Sequence, residues 1–192
     1  LFKGIRISTR PDCISEEIAD YLKELSEKTY LTVELGLQTI HDKTGERINR
    51  CHSYSDFLKG YNMIKEREIP VCVHLINGLP GETHEMMVET AREVGKLSPD
   101  FVKLHLLHII KGTKIAEEFE RGELSLMTLP EYVSVICDQL EVLPQETVIQ
   151  RVTGDGKKED LIGPMWSLKK FVVMNEIDKE MVRRNSCQGI KV

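Results

Sequence analysis

Nowhere in the 192 residues does an apolar run approach the roughly 20 needed to cross a bilayer, and no signal-peptide pattern opens the chain. There is no excess of positive charge: 26 Lys and Arg stand against 31 Asp and Glu, a formal net charge of −5. The chain as a whole is therefore not a nucleic-acid-binding surface, although a local basic patch stays open. Cysteines are few and scattered (Cys13, Cys51, Cys72, Cys137 and Cys187), odd in number and with no CxxC pair. That pattern excludes a disulfide framework and fits a reducing, cytoplasmic setting. Internal repeats and low-complexity segments are also lacking. What is present, 41% hydrophobic and 30% charged residues, is the composition of about one globular domain. The chain begins at Leu1 with a strand signal almost at once, so it is expected to be a piece of a longer protein.

Short β-rich runs alternate with helical patterns. Strands are expected at residues 4–8, 31–37, 71–77 and 101–110. Helices are expected after Ser15, from a start at Ser53 with Asp56, and around Met87, Ala91 and Val94. Thr128-Leu129-Pro130-Glu131 is a capping box that opens a helix to about Leu143. A strand at 147–152, a turn at 153–156 and a last helix from about Ser167 complete the chain. Four successive βα units predict a parallel sheet covered by helices, since parallel neighbours need a crossover. Residues 1–122 read as this β/α portion and 123–192 as an extension packed on the same core.

The polar residues of these strands fall in phase. Because side chains alternate faces, one face carries Ile5, Ile7, Val33, Leu35, Leu37, Val71, Val73, Leu75, Val102, Leu104 and Leu106. The other carries Arg6, Ser8, Glu34, Gln38, Cys72, His74, Lys103 and His105. A ligand-lined barrel interior or cleft explains such a face better than an internal salt-bridge network, because burying unpartnered polar groups is costly. The ligand end of such a fold is the carboxyl end of the strands, near Ser8, Gln38, Asn77 and His108. Taken singly, His74 and His105 read first as satisfied interior histidines and Trp166 as packing for the last helix, while a helix cap for Gln38 and a surface arginine for Arg50 are the lesser alternatives to ligand roles.

Three segments follow in order: Glu34-Leu35-Gly36-Leu37-Gln38-Thr39, Ile48-Asn49-Arg50-Cys51-His52 and Ile76-Asn77-Gly78-Leu79-Pro80-Gly81-Glu82-Thr83. Their succession resembles the radical S-adenosylmethionine (radical SAM) enzymes, in the branch of oxygen-independent coproporphyrinogen oxidase and the Elongator-type subunits. The tail, with Arg151-Val152-Thr153-Gly154-Asp155, Pro164-Met165-Trp166-Ser167-Leu168-Lys169-Lys170 and Gln188-Gly189, is similar to an uncharacterised bacterial and archaeal radical SAM family. The resemblance implies a partial, open TIM-like barrel of parallel strands, truncated on its N-terminal side, with a C-terminal extension. It implies S-adenosylmethionine and a 4Fe-4S cluster as cofactors, and an oxidoreductase that makes a 5′-deoxyadenosyl radical to abstract hydrogen from its substrate. A reductant such as flavodoxin or ferredoxin would supply the electron, and the substrate is a small molecule or a tRNA.

Carried over by position, the resemblance assigns Gln38 to the SAM ribose hydroxyls, which an amide suits because it both donates and accepts. It assigns Arg50 to the methionine carboxylate and the turn of Gly78, Leu79 and Pro80 to the adenine. Ser8 and His74 stand where relatives carry acids, and Glu34 points inward with Gln38. The family's CxxxCxxC triplet has no counterpart here, so the cluster cysteines are expected upstream of Leu1 and the chain as given should not cleave SAM. Two further readings stay open: a metal-dependent TIM-barrel hydrolase or lyase using His74, His105 and His108, and a non-catalytic SAM-binding module.

Overall fold

The computed structural model describes residues 3–154 and 156–192. Five strands form one parallel sheet: β1 (Gly4–Thr9), β2 (Tyr30–Gln38), β3 (Val71–Asn77), β4 (Phe101–Leu106) and, further along the chain, β6 (Val148–Arg151). Their order is β1-β2-β3-β4-β6. The crossovers are helical, as parallel pairing demands: α1 (Glu16–Ser26), α3 (Tyr54–Lys65) and α4 (His84–Lys96). The expected caps are in place. Ser15 accepts from Ile18 N, and both Ser53 with Asp56 and Thr128 with Glu131 form complete capping boxes. The second box opens α6 (Leu129–Val142), which packs between α4 and α7 (Lys170–Arg183). Trp166 sets its ring 5.3 Å from that of Tyr132 and donates to Met127 O.

Val33, Leu35, Leu37, Val71, Val73, Leu75, Val102 and Leu104 are all buried, each no more than 1% exposed, so the apolar phase of the strands is the core face. The opposite face is concave. With strands about 4.8 Å apart, a flat five-strand sheet would hold its edge strands about 19 Å apart. Yet Arg6 on β1 donates to Gln150 on β6 at 3.3 Å, so the sheet curls until its two edges share a hydrogen bond.

The structure corrects several expected elements. The run 101–110 is not one strand: β4 stops at Leu106, and β5 (Ile109–Ile110) pairs antiparallel with β7 (Leu161–Gly163) in a separate ribbon. Leu107 N donates to Asn77 O, which holds the chain at the break. The 39–52 segment contains a short helix, α2 (Asp42–Arg47), and another, α5 (Lys114–Glu120), follows β5. Neither helix carries an apolar stripe long enough to announce itself. The last helix starts at Lys170, after a 3-10 turn at Met165–Leu168. Of the turn read at 153–156, Asp155 lies outside the described residues. Among the described residues, no helix is long and apolar enough to cross a membrane.

Candidate functional site

Two clusters of charged side chains form around the carboxyl half of the sheet, and they differ in kind. The first lies on the concave face. Glu34, 6% exposed, is its hub. Ser8 Oγ donates to Glu34 Oε2 at 2.9 Å and Lys103 Nζ to Oε1 at 2.6 Å, with His74 Nε2 3.2 Å from Oε2. Arg6 Nη1 lies 3.8 Å from Oε1. Burial pushes the Glu34 carboxyl up, but the hydrogen bonds from Lys103 and Ser8 outweigh it and hold it below its usual value. Strand register explains the convergence: Ser8 stands beside Glu34 and Glu34 beside Cys72, while Gly36, His74, Lys103 and Arg151 form the next row across four strands.

The imidazoles differ in how well they are satisfied. His74 Nε2 has the Glu34 carboxylate at 3.2 Å, whereas Nε2 of His105 and of His108 is buried with no hydrogen-bond partner. The His74 and His105 rings lie 5.3 Å apart. Burial, then the neighbouring positive charges, pushes His105 down to about 4; burial and Lys103 lower His74. On an unbroken strand His105 and His108 would face opposite ways. The break after Leu106 removes that constraint, and His108 packs against the Gly154 and Gly156 backbone, where a Cβ would come within 2.8 and 3.0 Å of its ring.

These histidines do not make the metal centre considered above. Among the described residues, the one group of three whose ligand atoms lie within 4.8 Å of one another is Glu34, Cys72 and His74. Lys103 already holds a carboxylate oxygen there, and burial pushes the Cys72 thiol up to about 12, so this group suits a cation poorly. Nor do the cysteines hold an iron–sulfur cluster: Cys13, Cys51 and Cys187 are exposed, Cys72 and Cys137 are buried, and no three converge.

The second cluster is the loop after β2, which Arg50 organises. Its side chain is 3% exposed, so it is no surface arginine. Nε donates to His52 O at 2.8 Å, Nη1 to Leu37 O at 3.0 Å and to Thr39 O at 2.5 Å, and Nη2 to Asp42 Oδ1 at 2.7 Å. Four of its five N–H groups are thus used to fold the loop back on the strand end. Three non-glycine residues of this segment, Gln38, Asn49 and Cys51, sit at positive φ (64°, 59° and 66°), a concentration of strain that marks functional loops. Gln38 does not cap a helix. Its side chain folds over Gly36, and with its amide nitrogen turned inward it donates to Leu37 O at 3.0 Å and Gly36 O at 3.3 Å.

A cavity of about 540 Å³ opens at this end of the sheet, within the usual range for small-molecule sites. Ile48 and Asn49 of the second motif line it together with Ile76, Leu79 and Pro80 of the third. Gly78, at φ 80°, makes the turn out of β3; a Cβ there would lie 3.1 Å from Met127 Sδ. The structure therefore brings Ser8, Glu34 and His74 together on the concave face and Leu79 and Pro80 to the cavity, with Arg50 beneath the loop. Two residues outside the candidate set also matter. Lys103 anchors Glu34, which its phase on the polar face could have announced. Glu82 is driven up by burial, beside Thr39, Thr44, His41 and Arg50, and so couples the third motif to the Arg50 loop.

The chain resembles known proteins over nearly its whole length. Residues 2–94 match the family model of the radical SAM superfamily, and residues 99–183 that of the radical SAM C-terminal domain. The uncharacterised protein YtqA of Bacillus subtilis is 48% identical over 97% of this chain and 58% of its own length. MJ0486 of Methanocaldococcus jannaschii, also uncharacterised, is 38% identical over 98% of this chain and 59% of its own. The chain thus spans about three fifths of these relatives. The tRNA uridine(34) acetyltransferase of M. jannaschii is 31% identical over 78% of this chain and 28% of its own length. The structure of Elp3 from Methanocaldococcus infernus superposes with a TM-score of 0.80 at 28% identity, covering 92% of this chain and 42% of that one. Sequence motifs, parallel partial barrel and family models agree: the chain belongs to the radical SAM superfamily and carries its C-terminal domain.

Proposed function

We propose that this chain supplies the SAM-binding end and the substrate-facing wall of a radical SAM enzyme, one that cleaves S-adenosylmethionine reductively to a 5′-deoxyadenosyl radical for hydrogen abstraction. The observation that carries the proposal is the meeting of two distant motifs on one cavity, Ile48 and Asn49 of one with Ile76, Leu79 and Pro80 of the other. Leu79, Pro80 and Ile76 give an apolar floor for a purine, with the Gly78 turn beside it, and the Gln38 amide is suited to a ribose diol. Arg50 acts in this reading by fixing the loop that carries Gln38 and Asn49, and Glu82 by clamping that loop to the Gly78 turn. The residues present do not fit a cluster, so no step through one is derived from this chain.

The likeness to a protein named tRNA uridine(34) acetyltransferase favours a tRNA as the substrate, while the net charge of −5 places any such contact on a local patch.

The test uses protein expressed from the complete reading frame and handled without oxygen. Iron and sulfide are counted per chain, reductant-dependent formation of 5′-deoxyadenosine is assayed, and SAM affinity is measured by calorimetry. Four irons with SAM cleavage, and an affinity that drops about tenfold in Gln38→Ala, support the proposal. The absence of both iron and SAM binding would sink it.

A further inference from the structure

The Gly78 turn is braced from outside the parallel sheet. Asn77, the last residue of β3, and Gln139 on α6 are each 1% exposed, and their amides pair face to face. Asn77 Nδ2 donates to Gln139 Oε1 at 2.8 Å, and Gln139 Nε2 donates to Asn77 Oδ1 at 2.8 Å. Gln139 Nε2 gives its other hydrogen to Met87 O on α4 at 2.9 Å, and Met87 Sδ accepts from Gly78 N at 3.1 Å. The circuit closes on itself, because Gly78 follows Asn77 in the chain. Asn77 O also accepts from Leu107 N, so the break at the end of β4 hangs on the same residue. Leu79 and Pro80, next after the turn, and Leu107 line the 540 Å³ cavity. The two amides come from different parts of the chain: Asn77 from the stretch that matches the superfamily model, Gln139 from the C-terminal domain.

We propose that Gln139 is a positioning residue: through Asn77 and Met87, the C-terminal domain fixes the Gly78 turn and so presents Leu79 and Pro80 to the ligand in the cavity. Stability alone does not call for this pair, since two apolar side chains of similar shape fill the same space at nearly no net cost. What apolar packing lacks is direction. A buried amide pair accepts one register and one orientation, so it holds a strand end where a slippery contact would let it drift. Small displacements at a binding wall weigh heavily on the ligand that uses it. That the ligand is SAM rests on the preceding proposal; the bracing of the turn does not.

The experiment compares the complete protein with the paired variant Asn77→Leu and Gln139→Met, which removes both amides at nearly constant volume. Its thermal unfolding midpoint should stay close to the parent's, whereas Gln139→Met alone, which strands the Asn77 amide, should lower it. Amide hydrogen exchange is read on the peptide spanning residues 76–83, and SAM-dependent formation of 5′-deoxyadenosine is assayed on the same preparations. The paired variant should exchange this peptide about tenfold faster than the parent, with KM for SAM raised about tenfold and kcat changed by no more than about twofold. A merely structural pair would move the midpoint and produce no such split. Met87→Leu, an apolar swap of similar size, opens the circuit at its sulfur and should speed the same exchange by a smaller factor. Parental exchange in both variants, or faster exchange with an unchanged KM, would overturn the assignment. If the parent binds no SAM, the preceding proposal falls, and the exchange rates alone decide whether Gln139 braces the turn.

Discussion

Two buried charges sit within one sheet's width of each other, and their surroundings differ. Arg50 is enclosed by acceptors: three carbonyls and a carboxylate take four of its five N–H groups. Glu34 is enclosed by donors, Ser8 and Lys103 with the His74 ring 3.2 Å away, but the neighbouring His105 buries a bare imidazole nitrogen. A network that satisfies itself is scaffolding, because adding a ligand to it would break bonds already made. A network left short of acceptors has room for one more. By this criterion Arg50 builds the site and the Glu34 patch receives something, the reverse of what residue type alone would suggest for an arginine and a glutamate.

The largest expected effect tests the scaffold side. Arg50→Ala leaves the Leu37, Thr39 and His52 carbonyls without their donor, and should cost roughly 3–5 kcal/mol in thermal or denaturant unfolding. Arg50→Lys should recover less than half of that, because one ammonium does not reproduce a fork that spans carbonyls on both sides of the loop. A loss under about 1 kcal/mol in Arg50→Ala would transfer Arg50 from the scaffold to the ligand side of the comparison.

On the receiving side, acid should be the sharpest perturbation. His105 is held down to about 4 by burial and by the charges of His74, Arg151 and Lys103. Its pKa in the folded state lies below the usual 6.5, so the unfolded chain binds the proton first. Stability should therefore be complete above about pH 6.5 and fall as the pH drops toward 4, by roughly 2–3 kcal/mol from this residue. His105→Gln should flatten that part of the stability–pH curve. An unchanged curve would mean that the bare nitrogen is solvated and the pocket is not enclosed.

A smaller effect is expected from Gly36→Ala, which probes where the two regions touch. A Cβ at Gly36 would lie 2.5 Å from Gln38 Nε2, the end of a flexible side chain that can move aside. Stability should change by no more than about 1 kcal/mol, whereas SAM affinity should fall about tenfold as Gln38 is displaced. Affinity that survives the substitution would remove Gln38 from the SAM site.

Much of this was legible in the sequence. Alternation along β2, β3 and β4 separates the core face from the polar one, since period 2 is imposed by the pleat, whereas Ile5 on the edge strand stays exposed. Ser15, Ser53 and Thr128 announced their helices because a cap is a local hydrogen bond. What escaped were features made by distant contacts or by a local break. Parity set His105 and His108 apart, and only the interruption after Leu106 undoes that. Nothing local in Ile48-Asn49-Arg50-Cys51-His52 says that Arg50 turns inward, because its acceptors are backbone carbonyls, which no side-chain pattern encodes. Lys103 is the intermediate case: its phase put it on the polar face, but its pairing with Glu34 crosses two strands.

The most informative variant is Glu34→Gln. The carboxyl is held below its usual value, so the fold favours its charged form, and the amide leaves the Lys103 ammonium without its carboxylate. The amide oxygen still accepts from Lys103 or Ser8, so the loss of unfolding stability at pH 7 should stay below that of Arg50→Ala, at roughly 1–3 kcal/mol. His74 loses a neighbouring negative charge and should become harder still to protonate, which an NMR pH titration of its ring signals reads. A loss as large as that of Arg50→Ala would instead make Glu34 the keystone of a closed network, and the contrast between the two regions would collapse into one kind of buried charge.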